Sequence, residues 1–217
     1  MNHHGMFFAT DHHWKPETGL WSARHILRFL RDDYGWPVEP ENLSPEKFDY
    51  TVSHGCFLGA LGKKITLSRA RPDDFTVIYP KRNIMLDFSL PDMGLNISGD
   101  FSVFYGMKYF VSGDYYGNDT YMTYCYGTRP MLKARRTDGG RKKLFLIRNS
   151  FSSVIIPFLS LEIGDISAVD LRYLRGMADG SIRRYIAEER PDAVILIYHV
   201  SVPGRTSEID RRLWDFH

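Results

Sequence analysis

Cysteine is scarce in this sequence: only Cys56 and Cys125 occur among 217 residues. Two thiols are too few for a disulfide scaffold or a structural zinc site, although they could form one bridge in an oxidising compartment. An excess of either charge is also missing, because 28 basic side chains accompany 26 acidic ones. The overall charge therefore gives no argument for a nucleic-acid partner, and no motif calls for a cofactor.

Long apolar segments are absent as well. No stretch reaches the ~18 apolar residues that a membrane-spanning helix needs, so no transmembrane segment is predicted. Residues 1–8 contain neither a basic segment nor a long apolar one, so no signal peptide is predicted. The 18 glycines and 11 prolines are close to average usage, which excludes collagen and bulk disorder. Residues 1–217 are predicted to form one globular domain.

The last third of the chain carries the clearest structural pattern. Apolar runs at 144–147, 166–169 and 193–198 alternate with helical patterns at 151–161 and 181–189. Continuous apolar strands separated by helices are typical of a parallel sheet with both faces covered. The predicted fold class is therefore α/β with a mostly parallel sheet.

A further helix is predicted near the N-terminus. Pro16 and Glu17 favour a first helical turn. Leu20 and Leu27 belong to an apolar stripe at helical spacing that ends near Gly35.

Residues 57–127 show a different pattern. Short runs at 76–79, 101–105 and 109–111 are rich in Tyr, Phe and Val and lie between turns rich in Pro, Gly and Asp. We predict a β-rich insertion or cap within the domain. The aromatic residues between 101 and 126 would form the core of that cap, or line a cleft that stacks a sugar.

Ser150 follows directly on a predicted buried strand and precedes a helix. In open α/β sheets, ligands bind at the carboxyl ends of strands, so a hydroxyl here points to a cleft. The backbone amides of Ser150 and Phe151 would be free donors at the helix N-terminus, suited to a developing oxyanion. The alternative is that Ser150 is only an N-cap.

Asp11 and His13 are separated by one residue and can lie on the same side of an extended segment. The carboxylate could then orient the imidazole and leave the other ring nitrogen for a serine hydroxyl. The alternatives are a metal cluster with His3 and His4, or a capping Asp beside surface histidines.

Two basic features remain open. Arg172 follows the strand at 166–169, where its guanidinium could bind an anion, an acyl oxygen or a sugar hydroxyl, or simply pair with Asp170. Residues 129–148 contain eight basic side chains and one acid around a Gly-Gly turn. A solvated hairpin or loop is favoured there, with a phosphate-binding patch as the alternative.

Four segments together resemble the DHHW proteins, which belong with an SGNH-hydrolase-like group that includes alginate-type O-acetyltransferases. The segments are Thr10-Asp11-His12-His13-Trp14; Phe57 to Lys64 with Pro72-Asp73-Asp74-Phe75; Leu144 to Pro157; and Asp170-Leu171-Arg172-Tyr173. The resemblance spans essentially the whole chain, and its four blocks occur in the family's order.

The resemblance implies an SGNH-like three-layer α/β/α sandwich with a Ser–His–Asp triad. Ser150 would be the nucleophile, His13 the general base and Asp11 its orienting carboxylate, while Arg172 and Asn149 would belong to the substrate-binding region. It further implies O-acetyl transfer to, or deacetylation of, an envelope polysaccharide by a protein outside the cytoplasm.

Several positions depart from the family pattern. Asn149 stands where the family usually has Asp, and Ala60 replaces the usual Ser. Only about ten residues precede Asp11, so the chain is expected to be N-terminally short. These departures support an alternative hypothesis, a non-catalytic carbohydrate-binding or envelope-assembly protein. That alternative predicts an aromatic groove in residues 101–126 and no triad geometry.

Overall fold

The computed structural model describes residues 3–110, 113–140, 142–173 and 182–199. Its α-helices are α1 (His3–Met6), α2 (Pro16–Tyr34), α3 (Ala60–Ile65), α4 (Ile156–Leu159) and α5 (Ile182–Glu189). Its strands are β1 (Phe48–Phe57), β2 (Asp73–Pro80), β3 (Leu86–Leu90), β4 (Leu95–Gly99), β5 (Met131–Arg136), β6 (Lys143–Arg148), β7 (Asp165–Val169) and β8 (Ala193–Ile197).

Six strands form the main sheet in the order β4-β3-β5-β7-β6-β8. Among the described residues, β6 pairs in parallel with β7 on one side and β8 on the other, and the remaining three pairings of this sheet are antiparallel. The α/β class is thus observed, but the prediction of a mostly parallel sheet is wrong. A short 3-10 turn, Pro91–Met93, joins β3 to β4, and so tight a connection permits only antiparallel neighbours.

The central strand β6 is buried on both faces, as its continuous apolar run predicted. Leu144 and Leu146 belong to the larger core, which also contains apolar residues of α2 and α4. Phe145 and Ile147 point to the other face, where they pack with Ile182 of α5. Helices therefore cover both sides of β6, and the carboxyl end of this strand leads directly to Ser150.

The helix predicted from Pro16 is α2, and it ends as predicted at Gly35, whose φ of 64° allows a left-handed C-cap. Gly19 of this helix lies against the segment that follows Ser150. A Cβ at Gly19 would stand 2.1 Å from the carbonyl oxygen of Val154, so the helix can approach this closely only because residue 19 has no side chain.

The segment 57–127 contributes to both sheets. Strands β1 and β2 form a separate antiparallel pair, whereas β3 and β4 extend the main sheet. Phe101–Phe104 is a 3-10 helix and not the strand that its composition predicted. The Asp100 side chain caps this turn by accepting from the backbone N–H of Ser102 at 2.9 Å, and such local capping competes with strand pairing.

The basic run 129–148 is not a simple hairpin. Strands β5 and β6 flank its Gly-Gly turn, but β7 lies between them in the sheet. Arg148 at the end of β6 is fully buried, contrary to the prediction of a solvated segment. Within the described ranges, α2 is the one helix of at least 18 residues, and it is too polar to cross a bilayer.

Candidate active site

Asp11, His13 and Ser150 form a continuous line of hydrogen bonds. Oδ1 of Asp11 lies 2.6 Å from Nδ1 of His13, and Nε2 of the same ring lies 2.7 Å from the Ser150 hydroxyl oxygen. The Asp11 and His13 side chains are 5% and 13% exposed. In this arrangement the carboxylate orients the ring and leaves its second nitrogen on the serine hydroxyl.

Backbone donors fix the Asp11 carboxylate. Oδ1 also accepts from the backbone N–H of His13 at 2.9 Å, and Oδ2 accepts from the N–H of Ala60 at 2.7 Å. Burial by itself would raise the pKa of Asp11, but the hydrogen bonds from His13 and Ala60 outweigh it and lower the pKa to about 2. Asp11 is therefore ionised at neutral pH.

Gly59 makes room for this contact at the N-terminus of α3. A Cβ on residue 59 would lie 2.2 Å from Cβ of Asp11 and 2.5 Å from its Oδ2. The backbone of α3 can approach the carboxylate only because no side chain stands between them.

Ser150 is the first residue of a 3-10 helix, Ser150–Val154, and Asn149 is its N-cap. The alternative that Ser150 is the N-cap is therefore wrong. The Asn149 side chain accepts from the backbone N–H of Phe151 at 3.2 Å. The prediction that the Phe151 N–H is a free donor is therefore wrong. Within the described residues, the backbone N–H of Ser150 has no hydrogen-bond acceptor.

Tyr121 packs flat against the His13 ring. The two ring centroids are 4.1 Å apart with planes inclined by 20°. The Phe151 ring also contacts His13, with centroids 5.2 Å apart. Tyr121 is buried, and burial raises the pKa of its hydroxyl well above the usual value. Sequence reasoning treated Tyr121 only as one of several cap aromatics and did not assign it to this site.

Two further ionisable groups lie near His13. His12 has a side chain that is 51% exposed, with Nδ1 3.4 Å from Oδ1 of Asp11. Burial, followed by the nearby His13, lowers the pKa of His12. Desolvation of its carboxyl, and also the negative charge of Asp11, raises the pKa of Asp119.

Part of the geometry that a metal cluster at the N-terminal histidines would need is present. Potential ligand atoms of Asp11, His12 and His13 lie within 4.8 Å of one another. Nδ1 of His13 is, however, already engaged by Asp11. The side chains of His3 and His4 fall outside the described part of the molecule.

Arg172 and Asn149 occupy structural positions. The Arg172 guanidinium pairs with the buried carboxylate of Asp170, at 2.6 Å between Nη2 and Oδ2. This pair raises the pKa of Arg172. In the described residues no hydrogen bond joins Arg172 to Ser150 or His13, and Asn149 is buried as a helix cap. Their assignment to a substrate-binding region stays a prediction.

Arg148 is a buried cation two residues before Ser150. Nη1 donates to the Ser153 hydroxyl at 3.3 Å, and Nη2 donates to the Arg129 carbonyl at 3.4 Å. Burial lowers the pKa of this guanidinium. Sequence reasoning counted Arg148 only as part of a solvated basic run.

Both cysteines are buried free thiols. Cys56 donates to the Ser53 carbonyl and Cys125 to the Ser153 carbonyl, each at 3.3 Å. Burial raises the pKa of Cys125 to about 12, so this thiol is protonated at neutral pH.

The fold and this site define a mixed α/β protein in which an Asp–His pair is hydrogen-bonded to a serine hydroxyl. No family model matches the chain. No curated protein matches it by sequence either.

Solved structures share the fold. A DHHW family protein from Eubacterium siraeum superposes with a TM-score of 0.64 at 18% identity, over 89% of this chain and 58% of that one. PatB1 from Bacillus cereus, solved with a sulfonyl adduct, gives a TM-score of 0.68 at 18% identity, over 91% of this chain and 62% of PatB1. A second structure of PatB1 gives the same TM-score and identity, and this chain covers 63% of it. The chain thus spans about three fifths of the proteins whose fold it shares.

Proposed function

We propose that this protein carries out serine-dependent acyl-ester chemistry on a carbohydrate, with Ser150 as nucleophile, His13 as general base and Asp11 as the orienting carboxylate. One observation carries the proposal: the unbroken hydrogen-bond line from Asp11 through His13 to Ser150. A serine hydroxyl becomes a useful nucleophile when a base within hydrogen-bond distance can take its proton.

The steps of the reaction follow from this geometry. The Ser150 oxygen attacks the carbonyl carbon of the ester while His13 Nε2 takes the hydroxyl proton. Asp11 stabilises the resulting imidazolium, since Oδ1 lies 2.6 Å from Nδ1. The tetrahedral intermediate then expels the alcohol, which receives the proton from His13, and an acyl-serine remains. Water or a sugar hydroxyl attacks that acyl group, returning a proton through His13 and freeing Ser150.

The negative charge on the tetrahedral intermediate needs hydrogen-bond donors. The backbone N–H of Ser150 is available for this role among the described residues. The neighbouring N–H of Phe151 would be available only if it left the Asn149 side chain. Oxyanion donors are commonly backbone amides at a helix start, and each contributes on the order of 3 kcal/mol.

The carbohydrate substrate is the part of the proposal that comes from resemblance. The DHHW-like blocks at 10–14 and 170–173 and the shared fold support membership in the DHHW proteins. An SGNH-like architecture is what the sequence resemblance implies. We therefore favour O-acetyl transfer to, or deacetylation of, an envelope polysaccharide. The choice between transfer and hydrolysis depends on whether a sugar hydroxyl or water reaches the acyl-serine.

A chromogenic acetate ester tests the chemistry. Wild type, Ser150→Ala and His13→Ala would be compared with His12→Ala, a matched control whose ring is adjacent to His13 but has no hydrogen bond to Ser150. We expect the first two variants to lose roughly 10³-fold or more in kcat/KM. His12→Ala should retain activity within about fivefold, because none of the three proposed roles belongs to His12.

Covalent labelling provides an independent readout. A sulfonyl fluoride reacts with activated serine hydroxyls, so peptide mass spectrometry should locate one adduct on Ser150 in the wild type. His13→Ala should abolish it. A folded wild-type protein that neither hydrolyses the ester nor takes the label would contradict the proposal and favour a binding function. If the ester is hydrolysed, competition by an added sugar acceptor then separates transfer from hydrolysis.

A further inference from the structure

We infer that Asp73 is a positioning residue for the Asp11–His13 pair: its carboxylate fixes the chain segment from which Asp11 projects. This inference rests on the proposed function, because the pair acts in catalysis only if Ser150 is the nucleophile. Asp73 is the first residue of β2, and in the described structure it has no hydrogen bond to His13 or Ser150. Any effect on the reaction must therefore pass through its neighbours.

Three hydrogen bonds converge on the Asp73 carboxylate. Oδ1 accepts from the backbone N–H of Ala9 at 2.9 Å. Oδ2 accepts from the backbone N–H of Thr10 at 2.8 Å and from the Thr10 hydroxyl at 2.6 Å. All three donors belong to the two residues immediately before Asp11. Bonds to an ionised carboxylate are stronger than those between neutral groups, so this one side chain determines the path of the chain into Asp11.

Thr10, which is held by the Asp73 carboxylate, is also hydrogen-bonded to α3. Its hydroxyl oxygen accepts from the backbone N–H of Gly59 at 2.9 Å. Its carbonyl oxygen accepts from the backbone N–H groups of Leu61 at 3.0 Å and Gly62 at 2.9 Å. The first turn of α3 is thus docked on the residue that Asp73 holds.

The same turn of α3 supplies the donor that orients Asp11. The N–H of Ala60 lies 2.7 Å from Oδ2 of Asp11. Loss of the Asp73 carboxylate would therefore act on Asp11 in two ways: it frees the backbone before Asp11, and it loosens the helix turn that holds Oδ2. Both changes would move Oδ1 away from the His13 ring.

The adjacent residue, Asp74, is a matched control. Its Oδ2 lies 2.9 Å from Nδ1 of His54, and its Oδ1 accepts from the backbone N–H of Gly55 at 2.8 Å. Asp74 is exposed, and no hydrogen bond in the described ranges joins it to residues 9–13. Asp73 and Asp74 are therefore both aspartates on β2, but Asp73 binds the segment before Asp11 and Asp74 binds His54 and Gly55.

Replacing Asp73 with Asn removes one acceptor without changing the size of the side chain. Whichever way the new amide turns, its NH₂ group meets a backbone N–H, either that of Ala9 or that of Thr10, and two donors cannot bond to each other. A displacement of about 1 Å at a catalytic group can cost on the order of 100-fold in rate. We expect Asp73→Asn to lower kcat by roughly 10- to 100-fold with KM little changed.

The experiment compares wild type, Asp73→Asn and Asp74→Asn in three measurements, with thermal melting to verify folding. These are kcat and KM for the chromogenic acetate, the rate of sulfonyl fluoride labelling at Ser150, and the proton NMR resonance of His13 Nδ1–H. That resonance reports the hydrogen bond to Asp11 whether or not the protein turns over an ester. Labelling is also measured in the Asp11→Asn background, where a residue acting through Asp11 should have little further effect.

We expect Asp73→Asn to slow both ester hydrolysis and labelling and to shift or broaden the His13 resonance. Asp74→Asn should leave kcat, KM and the labelling rate within about twofold of wild type and the His13 resonance unchanged. An equal loss of labelling rate from Asp73→Asn with and without Asp11→Asn would overturn the inference, because it would show that Asp73 acts independently of Asp11. An unchanged His13 resonance in Asp73→Asn would also overturn it. If wild type is inactive and unlabelled, the proposed function fails, and the resonance alone decides whether Asp73 positions the pair.

Discussion

Nε2 of His13 lies 2.7 Å from the hydroxyl oxygen of Ser150, although 137 residues separate them in the chain. The next residues repeat the relationship: the indole Nε1–H of Trp14 donates to the carbonyl of Phe151 at 2.8 Å, across the same separation. Two adjacent side chains of the N-terminal segment thus bind two adjacent residues of the 3-10 helix. The Trp14 contact holds in register the two segments whose meeting forms the site.

The Trp14 hydrogen bond is expected to contribute to both stability and rate. Trp14→Phe keeps an aromatic ring but removes the donor to Phe151, which should lower the free energy of unfolding by about 1 kcal/mol. Because the lost bond lies beside Ser150, kcat should fall as well. Urea unfolding and ester hydrolysis measure the two effects.

Trp21→Phe is the control for this prediction. Trp21 lies on the exposed face of α2, with 43% of its surface accessible, and its loss should change stability by less than about 0.5 kcal/mol. Equal stability losses in the two variants would contradict the role given to the Trp14 indole.

Gly59→Ala should inactivate the protein through sterics alone. The added methyl group would fall 2.2 Å from Cβ of Asp11, so either the carboxylate or the start of α3 must move. We expect at least roughly a 100-fold loss of kcat, since a displacement of about 1 Å has this effect at catalytic groups. Gly113→Ala is the matched control, because a Cβ at that position meets nothing within 4 Å. Similar activity in the two variants would refute the prediction.

The ring of Tyr121 is expected to matter more than its hydroxyl. The stacked ring lies 4.1 Å from the His13 ring and can stabilise the imidazolium that would form in the proposed acyl transfer. Such a cation–π contact contributes about 0.5–2 kcal/mol, so Tyr121→Leu should lower kcat by roughly 3- to 30-fold. Tyr121→Phe keeps the ring and should retain most of the activity. Equal losses in both variants, measured in the same ester assay, would point to the hydroxyl instead.

Stability should depend on pH through Asp11. Its pKa is about 2 in the folded protein, against 3.8 ordinarily, so its ionisation stabilises the fold fully above pH ~4 and this contribution is lost as pH falls toward the folded value. One pKa unit corresponds to about 1.4 kcal/mol, so the contribution is roughly 2.5 kcal/mol at neutral pH.

Asp11→Asn removes this ionisation and provides the measurement. Between about pH 5.5 and pH 3, the wild type should lose about 1 kcal/mol more unfolding free energy than the variant. Urea unfolding at several pH values gives this difference directly. Parallel pH profiles for the two proteins would contradict the lowered pKa of Asp11.

Local pattern was sufficient for the elements that position the site. The proline at position 16 and the apolar spacing after it predicted α2, and the apolar run before Arg148 predicted β6. Periodicity does not reveal which strands become neighbours, and for this reason the antiparallel half of the main sheet was missed. Buried parallel strands were easier to recognise because both of their faces are apolar.

The candidate site was predictable only as two separate halves. The spacing of Asp11 and His13 suggested one pair, and the strand-to-helix junction suggested Ser150, but their meeting was expected only from the family resemblance. Ala60 gave no signal, because it acts through a backbone N–H that every residue except proline carries. Tyr121 lies in a segment so rich in aromatic residues that one ring at the site cannot be told from the others in the core.

The span of 137 residues between His13, the proposed base, and Ser150, the proposed nucleophile, would also govern when the serine becomes reactive. During synthesis, residues 11–13 leave the ribosome first, and the hydroxyl that they would activate follows much later. Closing a loop of this length carries an entropic cost that is repaid only once β6 and the surrounding core have formed. In a partly folded chain, Ser150 therefore has no base within hydrogen-bond distance. Under the proposed function, Ser150 would become reactive only when folding is complete, and labelling of Ser150 during refolding would record that moment.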